Sequence, residues 1–102
     1  IRDGSNYKQA GFVPWQFAGK PIYCWGWNFG GSFYDKENNV LTVADPKNIE
    51  ALQWEVDYAD KMGGIDFVNF ASGLGTGAED PFVTGQLAMA VRGNFDISKV
   101  KT

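Results

Sequence analysis

Residues 45–64, DPKNIEALQWEVDYADKMGG, decide the fold. Asp45 is a residue type that accepts hydrogen bonds from the first turn of a helix, and Pro46 suits the first helical position because its φ is fixed near the helical value. Gly63 and Gly64 are typical of a helix end. The stretch therefore predicts a helix from Pro46 to Met62.

Apolar residues line two faces of this predicted helix. At helical spacing, one stripe holds Ile49, Leu52, Val56 and Ala59, and the other, on roughly the opposite side, holds Ala51, Trp54, Tyr58 and Met62. A helix that is apolar on two faces is usually buried between the layers of a domain. Alternatively, one face meets something that is missing from this chain.

Shorter elements are predicted on both sides of the helix. On its N-terminal side we predict a polar lead-in over 1–9, an irregular strand over 11–17 that contains Pro14, a helix within the aromatic run 21–33, a polar turn over 34–39 and a strand over 40–43. The alternation of Tyr23, Trp25 and Trp27 in the aromatic run also fits a strand. On the C-terminal side we predict a strand or extended run over 65–70, a glycine-rich loop over 72–78, a short helix opened by Asp80 and Pro81 and closed by Gly85, and a strand over 87–91. The mixture predicts an α/β or α+β domain.

Composition excludes several classes of function. The 102 residues suffice for one domain or part of one, and 44% of them are hydrophobic. The chain has no histidine, so imidazole catalysis and histidine-ligated metals are excluded, and the single cysteine, Cys24, excludes an internal disulfide. A net charge of −3 is a poor match for nucleic acid or an anionic membrane, since both attract clustered lysine and arginine.

Motifs for catalysis and metal binding are weak. The loop 73–78, GLGTGA, matches the dinucleotide fingerprint, but that site needs a helix starting in the loop, and Pro81 would then cost about 3 kcal/mol inside it. A flexible connection is the favoured interpretation. The alternating acidic residues of 35–39 lack the glycine and glutamate of a calcium loop. We therefore predict no enzyme activity, no cofactor and no metal.

The aromatic and glycine cluster over 23–31, YCWGWNFGG, is the clearest candidate for binding. An indole is a flat apolar surface that keeps one N–H donor, and it can cover the C–H face of a sugar while neighbouring polar groups pair with the hydroxyls. A well-filled core is the alternative for at least half of these rings, because aromatic residues are mostly buried.

Three stretches resemble the extracellular sugar-binding proteins of bacterial ABC importers, the group that includes maltodextrin-binding protein. They are 25–35, WGWNFGGSFYD; 41–52, LTVADPKNIEAL; and 80–95, DPFVTGQLAMAVRGNF. The resemblance covers roughly residues 25–100. It implies a periplasmic-binding-protein fold, in which two α/β lobes close on a ligand. Such proteins are several times longer than 102 residues, so we expect residues 1–102 to be a fragment of the C-terminal lobe.

The resemblance also implies a function and its partners. The expected activity is reversible, non-enzymatic binding of a sugar or oligosaccharide outside the cell, in a periplasm or on a cell-surface lipoprotein. The expected partners are the permease subunits of an ABC importer and the missing N-terminal lobe of the same protein. Self-association of the fragment is expected if its half of the cleft and the stripe of Trp54, Tyr58 and Met62 lack their normal cover.

The candidate ligand-binding residues are carried over by position in the resemblance. They are Trp25, Trp27, Asn28, Gly30, Asn94 and Phe95. Phe95 stands where the family usually has a stacking tryptophan, so it keeps the flat face and loses the indole N–H donor. Arg92 is a further candidate for a ligand hydroxyl, although a surface or interlobe role fits it equally well.

Two rival functions remain open at this point. The first is a carbohydrate-binding module of a larger enzyme, which is usually a β-sandwich and would therefore lack helix. The second is a dinucleotide-dependent enzyme that uses the loop 73–78.

Overall fold

The computed structural model describes residues 1–4, 6–16, 21–75 and 79–100. These residues form a small mixed α/β domain with two short antiparallel hairpins. The helices are α1 (Pro21–Asn28), α2 (Pro46–Met62), α3 (Ile65–Gly73) and the single turn α4 (Ile97–Val100), which follows a 3₁₀ turn over Asn94–Asp96. The strands are β1 (Arg2–Asp3) paired with β2 (Asn6–Tyr7), and β3 (Tyr34–Asp35) paired with β4 (Val40–Leu41). Within the described ranges, no helix is both long and apolar enough to cross a bilayer.

The central helix α2 has the bounds that the sequence predicts. The carboxylate of Asp45 accepts a hydrogen bond from the Lys47 N–H at 2.8 Å, and Pro46 is the first helical residue. At the other end, Gly63 adopts a φ of +131°, and the Gly64 N–H donates to the Ala59 carbonyl at 2.8 Å. The predicted bounds of α2 are confirmed. They could be predicted because the Asp45 cap and the pair Gly63 and Gly64 act on neighbouring residues only.

The aromatic run forms a helix, as predicted, and not the strand that its alternation also fits. Helix α1 occupies Pro21–Asn28 and stops before the end of the run. The Phe29 N–H donates to the Trp25 carbonyl at 2.9 Å, and Gly30 then takes a φ of +88°, which favours glycine. This turn directs the chain into the β3–β4 hairpin.

The prediction of a strand or extended run over 65–70 is wrong, because these residues begin helix α3. Phe67 and Ala71 lie one helical turn apart and are both buried, and Leu74 continues the same buried face. The pair Gly63 and Gly64 reverses the chain between α2 and α3. Six residues are too few to reveal this spacing, so the run looks equally extended or helical in the sequence.

The predicted helix after Asp80 is also wrong, although its cap is real. The Asp80 carboxylate accepts the Phe82 N–H at 2.9 Å, and the Asp80 carbonyl accepts the Thr84 N–H at 3.0 Å. Gly85, with a φ of +79°, ends the segment after one turn, so residues 81–85 form turns and not a helix. A single turn is too short to propagate a helix.

The predicted strands over 11–17 and 87–91 reduce to one parallel bridge between Ala10 and Leu87. The Ala88 N–H donates to the Ala10 carbonyl at 2.9 Å, and the Met89 N–H donates to the Gly11 carbonyl at 2.8 Å. Residues 12–16 and 89–93 are irregular. The predicted irregularity around Pro14 agrees with this, and residue 17 lies outside the described ranges.

The hydrophobic core lies between these bridged segments and helix α3. Its buried members are Ala10, Val13, Phe67, Ala71, Leu74 and Leu87. Tyr58 of α2 closes one side, and its hydroxyl donates to the Phe12 carbonyl at 2.7 Å. On the other side, the polar lead-in forms the β1–β2 hairpin, and its Tyr7 hydroxyl donates to the Met62 carbonyl at 2.7 Å.

The two apolar stripes of α2 have different surroundings. The stripe of Ala51, Trp54, Tyr58 and Met62 faces the rest of the domain. In the other stripe Ile49, Leu52 and Val56 are each about half exposed, at 57%, 51% and 48%, while Ala59 is buried. An exposed apolar stripe is consistent with a helix that normally meets a further partner.

Candidate functional site

Residues from four segments line an open pocket of about 630 Å³, which we call the Arg92 pocket. The turn after Asp80, the irregular segment before the 3₁₀ turn, the 3₁₀ turn itself and the start of α4 contribute its walls. Its described lining residues are Phe82, Ala90, Arg92, Gly93, Asn94, Asp96 and Ile97. A pocket of this size suits a small-molecule ligand.

Arg92 is held in place by a two-point ion pair with Asp80. Its Nη1 donates to Asp80 Oδ2 at 2.9 Å and its Nη2 to Asp80 Oδ1 at 3.1 Å. The same carboxylate accepts the backbone N–H of Phe82, so Asp80 fixes both the turn and the guanidinium. About three quarters of each side chain is buried, with 26% of Arg92 and 21% of Asp80 exposed. A paired, partly buried guanidinium is a positioned donor group with its charge largely compensated.

Asn94 and Asp96 contribute the amide and carboxyl groups of the pocket. Both belong to the 3₁₀ turn, in which the Asp96 N–H donates to the Gly93 carbonyl at 3.1 Å. Asn94 is exposed, whereas Asp96 is buried. The pocket therefore combines an aromatic ring, from Phe82, with an accessible amide and a positioned guanidinium.

A second feature is an aromatic surface made of Tyr23 and Trp27 of α1 together with Phe33, which lies in the segment between α1 and β3. Tyr23 and Trp27 lie one helical turn apart, and their rings stack with centroids 6.0 Å apart and planes at 28°. Phe33 packs edge-on against both rings, at 4.7 Å from Tyr23 and 5.9 Å from Trp27. Trp27 remains 61% exposed. Tyr23 and Trp27 are therefore the accessible rings of this apolar surface, and Phe33 supports them from the edge.

Trp25 lies on the opposite side of α1 from this surface. Its indole Nε1–H donates to the Pro14 carbonyl at 2.9 Å, and its ring contacts that of Trp54 with centroids 4.9 Å apart. The predicted grouping of Trp25 with Trp27 is therefore corrected. In a strand, residues two apart share a face, but in a helix they lie about 200° apart.

The remaining predicted residues are divided between the two features. Asn28 ends α1 and Gly30 follows it, both exposed, and neither lines the Arg92 pocket. Asn94 lines the pocket, as does Arg92. The backbone of Phe95 belongs to the 3₁₀ turn, but its side chain lies outside the described part of the structure.

Sequence reasoning missed the pairing of Asp80 with Arg92 and the ring contributed by Phe82. The sequence predicts only a capping role for Asp80. Its pairing with Arg92 is not visible in the sequence, because the two residues are twelve apart in irregular chain and no periodic pattern relates them. The pairing of Tyr23 with Trp27 had a signal, because residues four apart share a helix face.

Other chemistries find little support in the described part of the chain. No cluster of carboxylate and thiol side chains suited to a metal ion occurs there. The glycine-rich loop was the candidate for dinucleotide binding. Its first residue, Gly73, is the last residue of helix α3, and residues 76–78 lie outside the described part of the structure. The following residues 79–86 form bends and turns instead of the helix that a dinucleotide site needs.

No protein family, curated protein or solved structure matches this chain. The Arg92 pocket and the aromatic surface are therefore the features of the chain that bear on its function.

Proposed function

We propose that the chain binds a sugar or oligosaccharide reversibly and without covalent chemistry. The observation that carries this proposal is the composition of the Arg92 pocket, where the Phe82 ring lies beside the groups of Arg92 and Asn94. A sugar offers an apolar C–H face with hydroxyls around its edge. An aromatic ring covers that face, and an amide both donates to and accepts from hydroxyls.

The aromatic surface on α1 supplies a second contact for a longer ligand. Tyr23 and Trp27 present stacked, exposed rings, and the indole N–H of Trp27 adds a donor at their edge. Trp25 is left out of the proposal because its N–H is already donated to Pro14. Asn28 follows Trp27 in the chain, and its exposed amide can pair with hydroxyls at this end of α1. Gly30 donates its N–H to the Trp27 carbonyl at 3.0 Å, so this N–H is not free for a ligand.

We further propose that the chain is part of the C-terminal lobe of the sugar-binding component of an ABC importer. The radius of gyration is 16.0 Å, against about 13 Å for a compact domain of this length. The accessible surface is 7046 Å², against about 5,700 Å² for a compact monomer of this mass. An open, extended shape supports a part that normally packs against more protein, here a second lobe that closes over the ligand.

The extracellular location and the permease partner belong to the same proposal. Both depend on the sequence resemblance in residues 25–100, and the exposed stripe of Ile49, Leu52 and Val56 on α2 supplies one surface for a further contact.

Titration of the chain with a panel of neutral monosaccharides and oligosaccharides, followed by amide NMR shifts, tests this function. We expect weak, saturable binding because only one lobe is present, with the largest shifts around Gly93 and Asn94. Asn94→Ala should weaken binding about five- to tenfold through loss of hydrogen bonds. Asn69→Ala is the matched control, since Asn69 is exposed on α3 and does not line the pocket.

Two results would contradict the proposal. The absence of saturable shifts with every sugar would exclude carbohydrate binding by this surface. Tight binding by the chain alone would contradict the two-lobe arrangement, because half of the contacts would then suffice.

A carbohydrate-binding module is the second candidate, and the exposed rings of Tyr23 and Trp27 favour it. Helices α1, α2 and α3 count against it, because such modules are usually β-sandwiches. A flat, exposed pair of rings suits the surface of a polysaccharide and needs no second lobe. Retention of the chain on an insoluble polysaccharide, lost in Trp27→Ala and kept in Asn94→Ala, would favour this candidate over the importer component.

A further inference from the structure

We propose that Asp80 sets the class of ligand that the Arg92 pocket accepts, selecting neutral sugars against sugar acids and phosphorylated sugars. The inference rests on the proposed function, because it concerns the ligand of the same pocket. Asp80 acts through Arg92 and is not among the lining residues, so it is a positioning residue.

The geometry commits both terminal nitrogens of Arg92 to Asp80. An unpaired guanidinium binds carboxylate or phosphate through two parallel N–H···O bonds. Here Asp80 already occupies that fork, at 2.9 and 3.1 Å, and the third nitrogen, Nε, is buried. An anionic ligand would have to displace Asp80, which the Phe82 N–H also holds. The two-point fork at the end of the guanidinium is therefore occupied, and its positive charge is compensated by Asp80.

The charges around the pocket also oppose an anion. Among the lining residues that the structure describes, Arg92 is the one cation and Asp96 supplies the one carboxyl, which is buried. Together with the carboxylate of Asp80 that pairs with Arg92, these described groups set two acidic side chains against one positive charge. An excess of negative charge in a partly desolvated site disfavours anionic ligands and leaves neutral polyols unaffected.

The substitution Asp80→Asn separates this role from a purely structural one. The asparagine keeps an acceptor for the Phe82 N–H and nearly the same shape, but it removes the charge that compensates Arg92. Asp80→Ser is the second variant, because serine also caps a turn and is too short to pair with the guanidinium. Asp60→Asn is the matched control, since Asp60 is exposed on α2 and lies outside the pocket lining.

The experiment measures binding of sodium sulfate, glucuronate and glucose by amide NMR shifts at constant ionic strength. We expect the native chain and Asp60→Asn to bind neither anion. In Asp80→Asn, sulfate and glucuronate should bind at least about tenfold more tightly, with shifts around Arg92 and Gly93, because an unpaired guanidinium attracts anions. Glucose affinity should change by less than about threefold, since its hydroxyls carry no charge.

The outcomes distinguish this inference from the proposed function. Gain of anion binding in Asp80→Asn, with no glucose binding in any variant, would support the role of Asp80 and contradict the carbohydrate function. Equal anion binding by the native chain and Asp80→Asn would overturn the role of Asp80, even if sugars bind. If Asp80→Asn loses its native circular dichroism, Asp80→Ser replaces it in the test. Gain of anion binding by Asp80→Ser would then support the role of Asp80, and anion binding equal to that of the native chain would overturn it.

Discussion

The backbone of Gly26 in α1 lies directly against the side chain of Asn48 in α2. A methyl group added at Gly26 would sit 2.5 Å from Asn48 Oδ1 and 2.7 Å from the Phe33 ring. Asn48 in turn donates from Nδ2 to the Ser32 carbonyl at 2.8 Å and to the Val43 carbonyl at 3.2 Å. One contact therefore fixes the crossing of two helices and places Phe33 in the aromatic surface.

The first prediction concerns this crossing. Gly26→Ala should lower the free energy of unfolding by about 1–3 kcal/mol, because the added methyl overlaps Asn48 and Phe33. The loss should appear although alanine favours a helix interior over glycine by about 1 kcal/mol. Urea denaturation monitored by circular dichroism measures it.

Gly73→Ala is the matched control for the crossing. It introduces the same methyl into another helix, at a position with nothing within 4 Å of the new atom. This variant should be as stable as the native chain or slightly more stable. If the two substitutions have equal effects, the close contact between α1 and α2 is wrong.

The second prediction concerns Asn48 itself, which is 3% exposed. Asn48→Ala should cost about 1–3 kcal/mol, since the carbonyls of Ser32 and Val43 would lose a buried donor. The exposed variant Asn69→Ala should change the free energy of unfolding by less than about 0.5 kcal/mol. Equal urea midpoints for the two variants would show that Asn48 does not anchor the hairpin segment.

The third prediction is a pH dependence that arises from Glu55. Its carboxyl lies in an apolar groove with Trp15, Leu52 and Val56, and burial raises its pKa above the ordinary value of 4.5. Because the pKa is higher in the folded state, the protonated form stabilises the fold. That contribution is fully present below pH 4.5 and is lost as the pH rises through the raised pKa.

Glu55→Gln should therefore be more stable than the native chain at pH 7 and equally stable near pH 4. The difference should stay below about 1 kcal/mol, because the carboxyl is partly in contact with water. Urea denaturation at several pH values measures the effect, with Glu37→Gln on an exposed turn as the control. A constant difference between the Glu55→Gln variant and the native chain across this range would rule out the assignment.

Local signals explain which parts of the fold were predictable from sequence. Asp45 and Gly63 act on their own neighbours, so the bounds of α2 could be read directly. The bounds of helix α3 could not be read in this way. The spacing of Phe67 and Ala71 indicates a helix only when it is known that both residues are buried in the core. Proline at the start of α1 indicated its helix correctly.

The candidate site was predictable only where its residues are close in sequence. Arg92 and Asn94 line one pocket because they are two residues apart, on either side of the extended Gly93 that leads into the 3₁₀ turn. The approach of Asp80 to Arg92 depends on how irregular segments pack, which no periodicity encodes. The separation of Trp25 from Trp27 follows from the helical form of α1, which the sequence predicts, whereas their grouping in one site came from the resemblance.

The last prediction uses these two tryptophans to separate stability from binding. Trp25→Ala should lower the free energy of unfolding by about 3 kcal/mol, because its ring packs on Trp54 and its N–H is bonded to Pro14. Trp27→Ala should cost less than about 1 kcal/mol, since the ring is largely exposed. Oligosaccharide affinity should fall several-fold in Trp27→Ala. Urea denaturation and NMR titration on the same samples provide both values, and a larger loss of stability in Trp27→Ala than in Trp25→Ala would reverse the assigned roles.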